Sequence, residues 1–156
     1  MTSPYARAVQ LIADLIDELN VIGLGDVLSK GGVGSILLAH RLGHQLVPGD
    51  KGPDAKDGSG SLFEYKVSNT NQFNFNFGGA SDAQFAREQV DRHFASIAGA
   101  YCGLRSGATF VSIAYCPSLP LTKHLKEYFS QSQSKTLVKN FSMEAFSQLP
   151  GAQRIL

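Results

Sequence analysis

Residues 61–68 run Ser-Leu-Phe-Glu-Tyr-Lys-Val-Ser, and this stretch decides which fold the chain is expected to adopt. Alternating apolar and polar side chains are typical of a half-buried β-strand. Because successive side chains of a strand point to opposite faces, we expect Phe63, Tyr65 and Val67 to share a core face. Glu64 and Lys66 then lie together on the other face, where a carboxylate and an ammonium group can share one site.

A second acid precedes this strand, in Pro53-Asp54, ten positions before Glu64. Turn-forming sequences flank it, since residues 48–53 run Pro-Gly-Asp-Lys-Gly-Pro and residues 56–60 run Lys-Asp-Gly-Ser-Gly. A hairpin-like return of the chain can bring Asp54 beside Glu64. We therefore expect Asp54, Glu64 and Lys66 to form one site.

These residue types suit a particular chemistry. Two carboxylates and a lysine can hold a divalent metal and activate a water molecule beside a phosphodiester. Hard cations such as Mg²⁺ take oxygen ligands, and an ammonium group stabilises the charge that develops on phosphorus. The same spacing also occurs on the solvated face of an ordinary sheet. In that alternative, Asp54, Glu64 and Lys66 are surface residues of an unrelated α/β interaction domain.

Composition predicts a single domain. The chain has 156 residues, of which 43% are hydrophobic and 17% charged, and this suffices for one substantial core. Its net charge is only +1, but residues 93–156 hold six Lys or Arg against two Glu. The lysines of this basic part can contact phosphates, or they can form a solvated helix face.

Cysteine use and apolar patterning bear on the compartment. Cys102 and Cys116 lack metal-ligand spacing, and residues 1–7 lack the charged and apolar regions of a signal peptide. No apolar run approaches the length that spans a bilayer. We expect a cytoplasmic protein with reduced thiols and no membrane partner.

Helix and strand signals follow one another along the chain. Ser3 and Pro4 begin a first helix that ends near Asn20, and Val33–Leu42 is predicted to form a second one, stopped by Gly43. Strands are expected at residues 45–47, around Asp54, and at residues 61–68 and 71–77.

A long amphipathic helix is predicted next. Ser81-Asp82 resembles a capping box, and apolar residues then repeat at intervals of four and three as far as Leu104. A buried strand at 108–116, a helix at 121–130 and a short helix at 143–149 complete the prediction.

The order helix, three strands, long helix, strand, with Pro53-Asp54 on the second strand and Glu64-x-Lys66 on the third, resembles the PD-(D/E)XK nuclease superfamily. This superfamily contains most type II restriction endonucleases. The resemblance covers about residues 30–116, and the run from Gly34 to Val47 adds to it. It implies an α/β (α+β) fold with an αβββαβ core, in which helices flank a central mixed sheet. Residues 1–156 would then form one nuclease domain with an N-terminal helix and a C-terminal helical extension.

The resemblance also implies a site and a reaction. Asp54 and Glu64 would be the metal-binding acids, Lys66 the catalytic lysine, and the backbone carbonyl of Tyr65 a further metal ligand. The implied cofactor is Mg²⁺, with Mn²⁺ as a substitute. Similar enzymes hydrolyse DNA in one in-line step through an activated water, leaving a 5′-phosphate and a 3′-hydroxyl.

One departure concerns the number of metals. Many members carry a glutamate on the helix before the first strand, whereas Val33–Leu42 contains no carboxylate. We therefore expect one metal rather than two. Asp26, Glu18 or Asp50 can be considered as substitutes, although Asp50 is better explained as a turn former.

Amide and lysine side chains around the strand at 71–77 are the candidates for DNA contact. Asn and Gln can make paired hydrogen bonds to adenine in the major groove. The alternative is an amphipathic edge strand with its phenylalanines inward and its amides in water. Arg92 and His93 are expected to be solvated or capping residues, not catalytic ones, and His40 and His44 to be structural or near phosphates. The DNA-binding candidates are Lys51, Lys56, Asn69, Asn71, Gln72, Asn74 and Asn76.

The function expected from all this is that of a Mg²⁺-dependent endonuclease, first of all a type II restriction endonuclease that cuts double-stranded DNA at a specific sequence. Alternatives are a homing endonuclease, a junction resolvase or a repair nuclease of the same fold, or a catalytically silent DNA-binding domain. Because one active site cuts one strand, double-strand cleavage predicts a two-fold homodimer.

Overall fold

Residues 3–24, 32–49, 52–79, 82–132 and 135–156 are described by the computed structural model of the chain. Lys51, Asp26 and Asp50 lie outside these residues. In chain order, the elements are α1 (Pro4–Val21), α2 (Val33–Leu42), β1 (Gln45–Leu46), β2 (Ala55–Lys56), β3 (Leu62–Ser68), β4 (Phe73–Gly79), α3 (Ala83–Phe94), β5 (Ile97–Ser106), β6 (Thr109–Pro117), α4 (Ser118–Gln131), β7 (Thr136–Phe141), α5 (Met143–Ser147) and β8 (Gln153–Arg154).

The fold is mixed α/β, with a mixed sheet flanked by helices. The main sheet has the strand order β1-β2-β3-β5-β6-β8, in which β3 and β5 are parallel and the other pairs antiparallel. Strand β4 leaves this sheet and pairs antiparallel with β7 in a second sheet of two strands. Among the described residues, no helix has the length and apolar character needed to cross a membrane.

Local signals account for the first two helices. The Ser3 hydroxyl accepts a hydrogen bond from the Ala6 amide at 3.1 Å, which caps α1 ahead of Pro4. Helix α2 ends at Gly43, whose φ of 69° is the left-handed conformation that favours glycine. Both predicted helices are therefore confirmed, as is the predicted strand 61–68 in the form of β3.

The predicted long helix is wrong beyond Phe94. Helix α3 ends there, and Ile97–Ser106 is strand β5, parallel to β3. Glycine explains the difference: a Cβ on Gly99 would lie 2.4 Å from the Tyr115 ring, and one on Gly103 would lie 2.6 Å from the Phe110 ring. Glycine is a poor helix former, and in β5 it makes room for rings of the neighbouring strand.

Two strands of the C-terminal region were missed. The sequence predicted one short helix after Lys135, and α5 matches it, but β7 and β8 lie on either side of that helix. Strand β8 consists of two residues paired with Tyr115 and Ala114 of β6. Strand β7 supplies the partner of β4, which the local pattern left without one.

The main sheet has a different hydrophobic cluster on each face. On one face, Phe63 and Tyr65 pack with Leu38 and Ala39 of α2, and Val67 joins them. A Cβ on Gly34 would lie 2.7 Å from Val67 Cγ1, so a glycine is needed where α2 meets β3. The other face is covered by α3, α4 and the two-stranded sheet, through a cluster that includes Phe75, Val90, Phe94, Ala100, Cys102, Leu121, Leu125 and Phe141.

Candidate active site

Asp54 is fixed immediately before β2 by hydrogen bonds of its own backbone. Its amide donates to the Phe63 carbonyl at 2.9 Å, and its carbonyl accepts from the Val47 amide at 2.9 Å. In the turn between β2 and β3, the Asp57 carboxylate accepts from the Ser59 and Ser61 amides at 2.9 and 3.0 Å. This turn returns the chain, so the hairpin-like approach of Asp54 to β3 is confirmed.

The Asp54 side chain lies against the backbone of β3. Its Oδ2 accepts a hydrogen bond from the Tyr65 amide at 2.7 Å. The N–H and C=O of a strand residue point to the same edge, so the Tyr65 carbonyl faces the same side as Asp54. The Tyr65 side chain points to the opposite face, where its hydroxyl lies 2.7 Å from His44 Nδ1. His44 therefore has a structural contact behind the site.

Glu64 is buried, at 4% exposure, on the face of β3 that α3 and α4 cover. Its Oε1 accepts a hydrogen bond from Lys66 Nζ at 2.5 Å, and its Oε2 lies 3.2 Å from His93 Nε2. The predicted alternation of β3 is thus confirmed, because Phe63 and Tyr65 occupy one core face while Glu64 and Lys66 share the other. The alternative in which Glu64 lies on a solvated face of the sheet is therefore wrong, because the residue is buried.

The two acids respond oppositely to this environment. Burial, together with the nearby charge of Glu64, raises the pKa of Asp54 to about 6. Burial by itself would raise the pKa of Glu64, but the His93 hydrogen bond and the Lys66 charge outweigh it and hold this pKa below its ordinary value. Glu64 is therefore readily ionised, whereas ionising Asp54 as well costs free energy. A cation placed between the two acids would offset that cost.

His93 is the residue that sequence reasoning missed. We expected it to be solvated or capping, whereas it contacts Glu64, and its ring packs edge-on against Phe77 with the centroids 5.3 Å apart. A signal was present in the spacing of α3. His93 follows the buried Val90 by three positions and precedes the buried Phe94, so it falls on the inward stripe of the helix.

The metal-ligand candidates fit a hard cation. Within the described parts of the chain, no three His, Cys, Asp or Glu side chains converge into a group that could hold a metal ion. The candidate protein ligands implied by the resemblance are the carboxylates of Asp54 and Glu64 and the Tyr65 carbonyl. Such a set suits Mg²⁺, which usually keeps several waters and binds through one or two carboxylates. Glu18, considered as a substitute acid, is exposed on α1.

The DNA-binding candidates fall into different settings. Asn74 and Asn76 are exposed on β4, while Phe73 and Phe75 beside them are each 1% exposed. Asn71 is held by the fold instead, because its Oδ1 accepts from the Met143 amide at 2.8 Å and its Nδ2 donates to Glu144 Oε2 at 3.3 Å. The remaining candidates with described positions, Lys56, Asn69 and Gln72, are exposed.

The structure adds one residue to the amide face of β4. Strand β7 places Asn140 opposite Asn74, and Asn74 Nδ2 donates to Asn140 Oδ1 at 3.1 Å. No local pattern around residue 140 indicated this neighbour.

Two lysines of the basic C-terminal region have protein partners. Lys126 Nζ lies 2.7 Å from Asp91 Oδ1, and Lys139 Nζ lies 4.2 Å from the centre of the Tyr128 ring. Their positive charges are therefore partly engaged within the fold.

No protein-family model matches this chain. A search of curated proteins likewise finds none with significant sequence similarity to it.

Proposed function

We propose that the chain is a Mg²⁺-dependent endonuclease that hydrolyses DNA phosphodiester bonds at Asp54, Glu64 and Lys66. One observation carries the proposal: the half-buried Asp54 lies near the buried Glu64 and its partner Lys66, and burial together with the charge of Glu64 raises the pKa of Asp54 to about 6. Acids with strongly perturbed pKa values cluster at functional sites.

The topology supports the finer fold assignment that belongs to this proposal. Strands β1, β2 and β3 form an antiparallel series. Apart from β4, which follows β3 and pairs with β7 in the second sheet, the chain then passes through α3 to β5, which is parallel to β3. With α2 in front, this gives helix, three strands, helix, strand around the candidate site. That order is the one implied by the resemblance to the PD-(D/E)XK nucleases.

In the proposed reaction, bound Mg²⁺ would supply a polarised water and a partner for the phosphate oxygens. Asp54, Glu64 and the Tyr65 carbonyl would hold it, and Mn²⁺ could take its place. The Lys66 side chain remains 25% exposed, so its charge can reach a phosphate at the surface. It stabilises the negative charge that develops on the phosphate, and His93 keeps the Glu64 carboxylate oriented.

Double-stranded DNA is the proposed substrate, and the β4–β7 ribbon is the proposed face for reading it. A two-stranded antiparallel ribbon fits the major groove, where Asn side chains pair with adenine. Asn74 and Asn76 supply such amides on β4, and Asn140 adds a third on β7. Asn71 is better assigned to holding the fold.

Sequence-specific cleavage of both strands requires two sites, so the proposal includes a homodimer of the type II restriction kind. It also includes a cytoplasmic setting, where the buried free thiols of Cys102 and Cys116 stay reduced. Homing, junction-resolving and repair nucleases share the chemistry and differ in the DNA that they cut.

The test is cleavage of plasmid, phage and branched DNA with Mg²⁺ or with a chelator. Asp54→Ala, Glu64→Gln and Lys66→Ala should each reduce cleavage by at least about 100-fold while folding is retained. Glu127→Ala and Lys123→Ala remove exposed charges of the same signs, away from the candidate site, and should cut normally. Discrete fragments support a restriction enzyme, and cleavage of branched DNA alone supports a resolvase. DNA binding without cleavage in every condition would refute the nuclease proposal.

A further inference from the structure

Helix α1 carries an apolar stripe that the rest of the described chain leaves uncovered. Leu19 is the only buried residue of its 18, at 4% exposure. Val9, Ile12 and Leu15 are 50%, 56% and 40% exposed, and Ile16 is 38% exposed. Together with Ala8, these residues recur at helical spacing and share one face. A contiguous exposed apolar face of this kind marks an interaction surface.

The spacing of the apolar positions along the stripe is symmetric about Ile12. Val9 and Leu15 lie three positions to either side of it, and Ala8 and Ile16 lie four positions to either side. If two copies of α1 pack antiparallel across a two-fold axis at Ile12, Val9 meets Leu15 and Ala8 meets Ile16. Each contact then occurs twice, as a two-fold interface requires. The stripe is therefore complementary to itself.

Charge favours the same antiparallel arrangement. The first half of α1 carries Arg7 and no acid, whereas the second half carries Asp14, Asp17 and Glu18. An antiparallel pair brings the acidic half of one helix beside the half with Arg7, and it pairs opposite ends of the helix dipoles. A parallel pair would set acid against acid. The acidic polar face also disfavours anionic lipid as the occupant of the stripe.

The geometry points to α1 as the surface through which two copies of this chain associate, antiparallel, with Ile12 at the two-fold axis. The partner is a second copy because the stripe matches itself in the spacing of its apolar positions and in charge. This inference concerns assembly and does not depend on the proposed nuclease activity.

Sedimentation of the full chain over a wide concentration range tests the association, with two neighbouring substitutions compared. Ile12→Glu should raise the dimer dissociation constant by at least about 100-fold, because it buries two like charges at the axis. Leu11→Glu is the matched control, since Leu11 is equally exposed at 58% but lies about 100° around the helix. It should change the constant by less than about fivefold. Circular dichroism checks that both variants keep their helix content.

Cross-linking tests the orientation. Val9→Cys and Leu15→Cys proteins, mixed and mildly oxidised, should form the disulfide between residues 9 and 15 in preference to either homodisulfide; the native Cys102 and Cys116 are buried. Homodisulfides alone would indicate a parallel pair and overturn the proposed arrangement. Three outcomes would overturn the interface itself. The wild-type chain could stay monomeric at every concentration, or both glutamate variants could lose the dimer equally. The third outcome is a monomer that binds phosphatidylserine vesicles through this stripe.

Discussion

His93 Nε2 lies 3.2 Å from Glu64 Oε2, so residues 29 positions apart on α3 and β3 meet through side chains inside a largely apolar face. The Glu64 carboxylate has Lys66 on its other oxygen and is therefore held from two sides. A ligand carboxylate is effective only when its orientation is fixed, and the partner that fixes it affects the reaction without touching the substrate.

Replacing His93 should weaken catalysis more than folding. We expect His93→Ala to lower the Mg²⁺-dependent cleavage rate by about 10- to 100-fold and to raise the Mg²⁺ concentration needed for half-maximal rate. His93→Gln, which keeps a side-chain donor, should recover part of the loss. The measurement is a Mg²⁺ titration of cleavage, with the exposed neighbour Arg92→Ala as control. Equal effects of the alanine and glutamine variants would argue against a positioning role.

Asp54→Asn should stabilise the metal-free protein at neutral pH. The pKa of Asp54 is raised from 3.8 to about 6, so between these values the folded state keeps a proton that the unfolded state has lost. The free energy of unfolding therefore decreases as the pH rises through this window, and the penalty is complete above pH 6. Asparagine removes that penalty, which is worth up to about 3 kcal/mol.

Denaturant unfolding of Asp54→Asn and wild type, at neutral pH and near pH 4, measures this difference. The gain should be present at neutral pH and vanish near pH 4, where the wild-type acid is already protonated. Asp17→Asn on the exposed surface of α1 should show no comparable gain. A loss of stability at neutral pH would show that the charged Asp54 supports the fold.

If Asp54 is a metal ligand as proposed, the affinity for Mg²⁺ should fall in acid, because the metal then competes with a proton for the Asp54 carboxylate. With a pKa of about 6, the affinity should decrease by about tenfold for each pH unit below that value and level off above it. Calorimetric titration with Mg²⁺ in the absence of DNA gives the affinity and the protons released. An affinity that is flat from pH 5 to pH 8, or that rises in acid, would exclude Asp54 as a ligand.

Gly99→Ala should destabilise the fold. Its Cβ would lie 2.4 Å from Tyr115 Cε2 and 2.6 Å from the Cys116 carbonyl oxygen, and a backbone atom cannot easily move away. We expect a loss of about 1–3 kcal/mol in the free energy of unfolding. Gly58→Ala is the control, because nothing lies within 4 Å of its Cβ. Equal midpoints of denaturant unfolding for the two variants would contradict the packing argument.

Short-range sequence patterns predicted the structure correctly where a residue's neighbours in the chain decide its conformation. The cap at Ser3, the glycine stop at Gly43 and the alternation of β3 belong to this class. The alternation also placed Glu64 and Lys66 on one face, and the turn at Asp57 allowed Asp54 to be brought to them.

Prediction failed where tertiary contacts decide the outcome. Strand β5 has apolar residues at intervals that also suit a helix, and rings from β6 select the strand by requiring Gly99 and Gly103. His93 belongs to the site because α3 packs over the face that holds Glu64, and this packing leaves no local trace beyond the helical spacing. The pairing of β4 with β7 depends on residues far apart in the chain.

The pairing of β4 with β7 has a consequence for the order in which parts of the structure form during synthesis. Asn74 and Asn140 are 66 positions apart, so the ribbon that carries them cannot close until the chain has left the ribosome as far as β7. Asp54, Glu64, Lys66 and His93 are synthesised long before β7. Distant pairings of this kind are also slow to form. A nascent chain would therefore assemble its acids before its amide ribbon, and the complete surface would form only once β7 pairs with β4.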